Sequence, residues 1–204
     1  EYGKVFISVK STTGLNLTTS QKENLEKDLA PFKVASITPV VVNPETTFII
    51  LGITFNYNSS ATTQSKTDLE SSVSTTISNF NNNKLKNFNS PFRHSELTGL
   101  IDDTDSAITN NTTTVTMAKF FTPSLTTSSN YTVSFNNALY NPHSGHNSSG
   151  GGVIASTGFQ IDGDTSTEYF FDEDGSGNLR TYSVVSGTRT YLNLTAGSVD
   201  YANG

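Results

Sequence analysis

The sequence predicts an α+β chain: a ferredoxin-like two-layer β-α-β-β-α-β domain followed by a small β-rich domain. Two observations carry this. Apolar residues recur with period 2 and period 3.6 in alternation up to Phe121. After Pro123 the helical period disappears, and glycine and Asn/Asp turns separate short runs rich in Tyr, Phe and Val. The expected domains are therefore 1–122, an α+β sandwich, and 123–204, a β-rich domain incomplete at its carboxyl end.

Val5-Phe6-Ile7-Ser8-Val9 is the first strand, closed by the polar turn Ser11-Thr12-Thr13-Gly14. Ser20 and Glu23 have the spacing of a capping box and open a helix with Leu25, Leu29 and Phe32 inward. Pro31 should kink or stop it. Val34 to Val42 returns to strand, with Pro39 favouring an edge or bulge. After the Asn43-Pro44-Glu45 turn, Thr47, Ile49, Leu51, Ile53, Phe55 and Tyr57 form the core face of a longer strand. The short connection predicts an antiparallel hairpin of these two strands.

A second helix spans about Lys66 to Asn82, capped by Ser65 and Asp68, with Leu69, Val73, Ile77 and Phe80 on one face. Its other face holds Ser, Thr and Asn, poor helix formers, so it needs a sheet to pack on. A third helix covers Ser95 to Asp102, with Leu97, Leu100 and Ile101 inward. Thr112 to Phe121 is the last strand of this half. Beyond it, Tyr131–Phe135, Val153–Ala155, Tyr169–Phe171, Leu179–Val185 and Thr190–Leu192 are strand candidates. Gly150-Gly151-Gly152 is a turn. Asp174-Gly175-Ser176-Gly177-Asn178 joins two candidates as a hairpin would. Asp200–Gly204 is a terminal turn.

The chain has 204 residues, 12 Lys+Arg against 18 Asp+Glu, and a formal charge of -6. That balance gives no support to nucleic-acid binding. With no cysteine, disulfide scaffolds, thiol nucleophiles and Cys zinc sites are excluded. No apolar run reaches membrane-spanning length. The chain opens at Glu1, not Met, with a strand following at once, which reads as an excerpt of something longer.

Candidate chemistry is sparse. His94 sits at a helix start. His143 and His146 are spaced as a metal pair could be, but no third ligand is local, and a polar loop is the simpler reading. Asp162-Gly163-Asp164 and Asp172-Glu173-Asp174-Gly175 alternate oxygen ligands with glycine as calcium loops do. They lack the terminal bidentate Glu, and Asp-Gly is also hairpin chemistry. Asp102, Asp103 and Asp105 would serve acid–base work only if buried. No Gly-x-Ser-x-Gly elbow or phosphate loop is present. The expectation is no enzyme, and no catalytic, cofactor-binding or metal residue.

The order of motifs resembles a known family. Tyr2-Gly3-Lys4-Val5-Phe6-Ile7-Ser8-Val9-Lys10, Leu17, the first helix and Asn43-Pro44 are similar to the large baseplate wedge protein of T-even-like contractile-tailed phages, a baseplate J-like family. So are Phe55-Asn56-Tyr57-Asn58, Phe92-Arg93-His94-Ser95-Glu96-Leu97, Leu100-Ile101-Asp102 and Ile108-Thr109-Asn110-Asn111. Phe135-Asn136-Asn137-Ala138-Leu139, Ser156-Thr157-Gly158-Phe159 and the Asp174–Leu179 hairpin extend the likeness.

The resemblance implies a carboxyl-side portion of a structural subunit of the virion's tail baseplate. Copies would pair as homodimers, contact other baseplate wedge proteins and link neighbouring wedges into the inner ring, without nucleic acid, membrane or cofactor. The alternative is a receptor- or glycan-binding tail module using the second half, where Tyr131, Tyr140, Tyr169, Tyr182 and Tyr191 supply aromatic candidates.

Overall fold

A computed structural model describes residues 3–12, 16–34, 36–146 and 152–204. Thr13, Gly14, Gly150 and Gly151, named above in expected turns, lie outside them. The chain divides into two compact units, Glu1–Ala118 and Lys119–Gly204. The first is mixed α+β and the second all-β.

The first unit begins with β1 (Lys4–Ser8), α1 (Thr19–Leu29), a 3₁₀ turn (Ala30–Phe32) and β2 (Thr38–Val42). β1 and β2 are parallel, from Lys4 opposite Thr38 to Ser8 opposite Val42. A parallel pair needs a crossover, and α1 supplies it. The capping box lies two residues earlier than the sequence reading placed it, at Thr18 and Gln21. Both spacings satisfy the motif, and the Thr18 side chain is the one that reaches the free amide. Pro31 ends α1 as expected, because the 3₁₀ turn starts beside it. Phe32 does not turn inward: it is 84% exposed. The Val41 N–H donates to Glu26 Oε1 at 2.7 Å, which ties the helix to β2.

The rest of the unit is β3 (Phe48–Tyr57), α2 (Lys66–Phe80), a π-helical turn (Asn81–Leu85), α3 (His94–Asp102) and β4 (Ile108–Ala118). β3 and β4 run antiparallel, Phe48 opposite Ala118 through Asn56 opposite Asn110. This corrects two expectations. β3 pairs with β4 rather than with β2, and the described strands form two separate two-stranded sheets. A ferredoxin-like sandwich needs one four-stranded sheet, so that finer topology is not what these strands make. The short 43–47 connection did not force a hairpin, because β4 offers β3 a longer uninterrupted register.

Of the predicted core face of β3, Leu51, Ile53, Phe55 and Tyr57 pack on Val73, Phe80, Leu97, Ile101 and Ile108. Ser65 and Asp68 cap α2 reciprocally. Leu97 and Ile101 of α3 are fully buried, whereas Leu100 is exposed. It lies on the flank of a nine-residue helix that has only one covered stripe.

The second unit is one antiparallel sheet in the order β5-β6-β7-β8: Phe159–Ile161, Asp164–Glu173, Asn178–Val185 and Thr188–Ser198. Asp162-Gly163, with Gly163 at φ +84°, turns β5 into β6. Ser186 and Gly187, at φ +51° and +81°, join β7 to β8. Two consecutive positive φ values are what a twisted two-residue hairpin requires. Tyr131–Phe135 is not a strand, and Val153–Ala155 contributes only a bridge from Ala155 to Asp172. Alternation alone does not make a strand without a neighbour to pair with. Phe135 and Leu139 instead donate their backbone N–H groups to the Gly204 and Tyr201 carbonyls, at 2.9 and 2.8 Å.

Candidate functional site

Asp102, Asp105, Asp164, Asp172, Glu173 and Asp174 are all engaged by protein donors. Asp174 Oδ1 accepts the Ser176 and Asn178 amides at 2.7 and 3.0 Å, and its Oδ2 accepts Asn178 Nδ2 at 2.7 Å. Asp164 accepts the Ser166 and Thr167 amides, the Ser166 hydroxyl and the Tyr169 hydroxyl. These are side-chain caps on hairpin turns, the chemistry of Asx turns. Asp102 accepts Asn111 Nδ2 at 2.7 Å, and Asp105 accepts the Ala107 amide and Gln64 Nε2. They serve the turn from α3 into β4.

His94 begins α3. Its Nε2 is 2.9 Å from the Thr113 carbonyl, so the ring donates there and holds α3 against β4. His143 and His146 face each other, with Nε2 and Nδ1 3.2 Å apart and ring centroids at 4.9 Å. Among the described residues no group of three or more His, Cys, Asp or Glu is placed to hold a metal ion.

The least expected feature is a buried ion cluster inside the second unit. Asp172 is 2% exposed. Its Oδ1 accepts Arg180 Nε at 2.9 Å, and its Oδ2 accepts Arg189 Nη1 at 2.6 Å and Tyr191 OH at 3.1 Å. The Arg180 guanidinium stacks 4.5 Å above the Tyr191 ring, and that of Arg189 lies 4.6 Å from the Tyr182 ring. Glu173, fully buried, accepts the Val153 amide through Oε1 and the Gly175 amide and Tyr201 hydroxyl through Oε2. A Cβ on Gly152 would collide with this carboxylate, so any other residue there would have to displace the Glu173 side chain.

Bonded in this way to donors on β7, β8 and the neighbouring loops, the two carboxylates fix the sheet. Its sequence signal was the hairpin: with the turn centred on Ser176, positions 172 and 180 fall opposite each other. The aromatic candidates are similarly committed. Tyr169 bonds Asp164, Tyr191 bonds Asp172, and Tyr182 is buried, while Tyr131 and Tyr140 are exposed.

Burial tends to raise the Asp174 carboxyl, but its hydrogen bonds from Asn178 and Ser176 and the nearby Arg180 outweigh this and hold it below the usual range. Hydrogen bonds also lower Asp68 (from Ser65), Asp164 (from Thr167, Ser166 and Tyr169) and Asp200 (from Asn203 and Ala202). A depressed folded-state value stabilises the fold above the unfolded carboxylate value of about 3.9. That stability is lost as pH falls through the folded value. Urea midpoints should therefore hold level from pH 7 to about 4 and fall below it. Burial first, then the bond to Glu173, pushes the Tyr201 hydroxyl up to about 12.

Residues 1–42 match the family profile described as baseplate structural protein gp6, C-terminal domain I. Residues 45–120 match the one described as C-terminal domain III of the same protein. The first match ends at the last residue of β2, and the second begins before β3 and ends just past β4. The division between the two sheets thus coincides with the division between the two matches. Baseplate wedge protein gp6 of Enterobacteria phage T4 is 29% identical over 117 residues, which are 57% of this chain and 18% of that protein. The chain spans less than a fifth of the length of this curated relative.

Proposed function

Since the chain belongs, through residues 1–120, to the gp6 family of phage baseplate wedge proteins, we propose that it is a non-enzymatic structural segment of a tail baseplate wedge. The observation that carries this reading is the succession of two gp6 domains in chain order, each coinciding with one sheet-and-helix module. In this role the segment resides in the virion's tail baseplate. It self-associates, contacts other wedge subunits and helps link neighbouring wedges into a ring. Residues 1–122 act as the assembly domain and residues 123–204 as a β-rich appendage.

The surface supports such a role. Ser, Thr and Asn make hydrogen bonds without the repulsion of like charges, and charged residues are only 15% of the chain. The carboxylates that could have argued for catalysis or calcium cap turns or pin the second unit's sheet. Of the five tyrosines that could have argued for glycan binding, Tyr169 and Tyr191 are engaged in the same bonds and Tyr182 is buried.

Antibodies raised against this chain test the reading on purified contractile-tailed particles. Electron microscopy should show label confined to the baseplate. Label on the capsid, the sheath or the fibre tips alone would overturn it.

A further inference from the structure

The three histidines of the chain are placed unequally. His94 is committed to the Thr113 carbonyl. His143 and His146 instead turn their rings toward each other at an exposed corner of the second unit, and neither family match extends that far.

The backbone builds this corner. The His146 N–H donates to the His143 carbonyl at 3.1 Å, which closes a four-residue turn, and Gly145 takes the left-handed position in it at φ +76°. The two histidines are therefore the first and last residues of one tight turn. That turn is docked on the β6–β7 hairpin. The Gly145 N–H and Asn141 Nδ2 both donate to the Gly175 carbonyl, at 2.9 and 3.2 Å, and the Ser144 hydroxyl lies 3.4 Å from that of Ser176. Each ring is also oriented by a second group. His143 Nδ1 is 3.2 Å from the Ser144 carbonyl, which can only accept, so the proton sits on Nδ1 and Nε2 carries the lone pair. The His146 ring stands edge-on to Tyr140, with centroids 5.4 Å apart and planes at 83°. Committing one ring nitrogen to a carbonyl is how metal-ligating histidines are commonly held.

The two free-facing nitrogens, His143 Nε2 and His146 Nδ1, are 3.2 Å apart. Two imidazole nitrogens on one tetrahedral zinc ion, with bonds of about 2.0–2.1 Å, stand about 3.3 Å apart. We propose that His143 and His146 form a bidentate site for a divalent transition cation of the zinc type. In the metal-free chain His146 Nδ1 donates its proton to His143 Nε2, and that bond keeps the rings together. With a cation between the nitrogens, His146 carries its proton on Nε2 instead, so neither ring changes charge. Both side chains are exposed, which lets the rings swing by the small angle that converging on a cation requires. Imidazole selects zinc, nickel or copper over magnesium and calcium, which need oxygen ligands. Among the described residues no third His, Cys, Asp or Glu joins the pair, so water completes the shell.

Isothermal titration of the 204-residue chain, purified without a histidine tag, tests the site with zinc as the probe. One equivalent should bind in the micromolar range, and magnesium should not bind. His143→Ala and His146→Ala should each weaken zinc binding about tenfold or more, since even groups that merely orient a ligand are worth about ten- to a hundredfold. The thermal melt of both variants should match the parent, because the two side chains are exposed. Imidazole nitrogen NMR gives a reading that a loosened loop would not: zinc should shift His143 Nε2 and His146 Nδ1 and leave His94 unmoved. Equal zinc affinity in both alanine variants, shifts at His94 alone, or no saturation below millimolar zinc would each overturn the site.

Discussion

Asp172→Ala should destabilise the second unit by about 3–5 kcal/mol, the cost of breaking a buried ion pair by removing one partner. The carboxylate is shared by Arg180 and Arg189 and also accepts the Tyr191 hydroxyl, so its loss disturbs three donors on β7 and β8 at once. Those strands take their register partly from this point: Asp172 lies directly opposite Arg180, and Arg189 and Tyr191 reach it across β7. Hydrogen exchange should therefore accelerate throughout β6, β7 and β8, with β3 and β4 keeping their protection. Replacing the more buried pair together, Asp172→Leu with Arg180→Met, should cost less than the single change, because the buried Arg180 charge is removed with its partner and the Arg189 side chain, 33% exposed, can reach water. If the single variant unfolds in urea at the wild-type midpoint, the cluster does not hold the sheet.

Leu97→Ala should cost the first unit about 2–5 kcal/mol. Leu97 is fully buried and belongs to the cluster that fastens α3 and α2 under the β3–β4 ribbon. Truncation removes the apolar contact and leaves a cavity between helices too short to collapse far. α3 spans only nine residues, and Ile101 is its other fully buried apolar anchor, beside polar contacts from His94 to Thr113 and from Asn111 to Thr98 and Asp102. A two-stranded ribbon is marginal without something packed on it, so loosened helices should release the ribbon as well. The expected signature is lost amide protection in α3 and β4 together. Wild-type stability in this variant would mean the core is centred elsewhere.

How far the sequence could be read depends on the range of the interaction. The helices were legible because their signals are local. Ser65 and Asp68 cap α2, and Leu69, Val73 and Phe80 form its buried stripe. The Asp174–Asn178 hairpin was legible for the same reason, since Asp174 binds groups only two and four residues away. Strand partners were not. β1 finds β2 across a helix, and β3 finds β4 across two helices; alternation alone does not say which strand is the neighbour. The buried Asp172 cluster was missed because the run Asp172-Glu173-Asp174 reads as solvent-exposed turn chemistry until the register places Arg180 opposite it. The ferredoxin-like order of elements was correct as an order, but it did not fix how the strands joined.

A cryo-electron microscopy reconstruction of the intact baseplate from the particle that carries this polypeptide tests the account most directly. The account predicts density for the β1-α1-β2 and β3-α2-α3-β4 modules in repeated copies within the wedge ring, with a subunit-to-subunit contact there. Finding these modules only at a fibre tip, or absent from the baseplate, would contradict it.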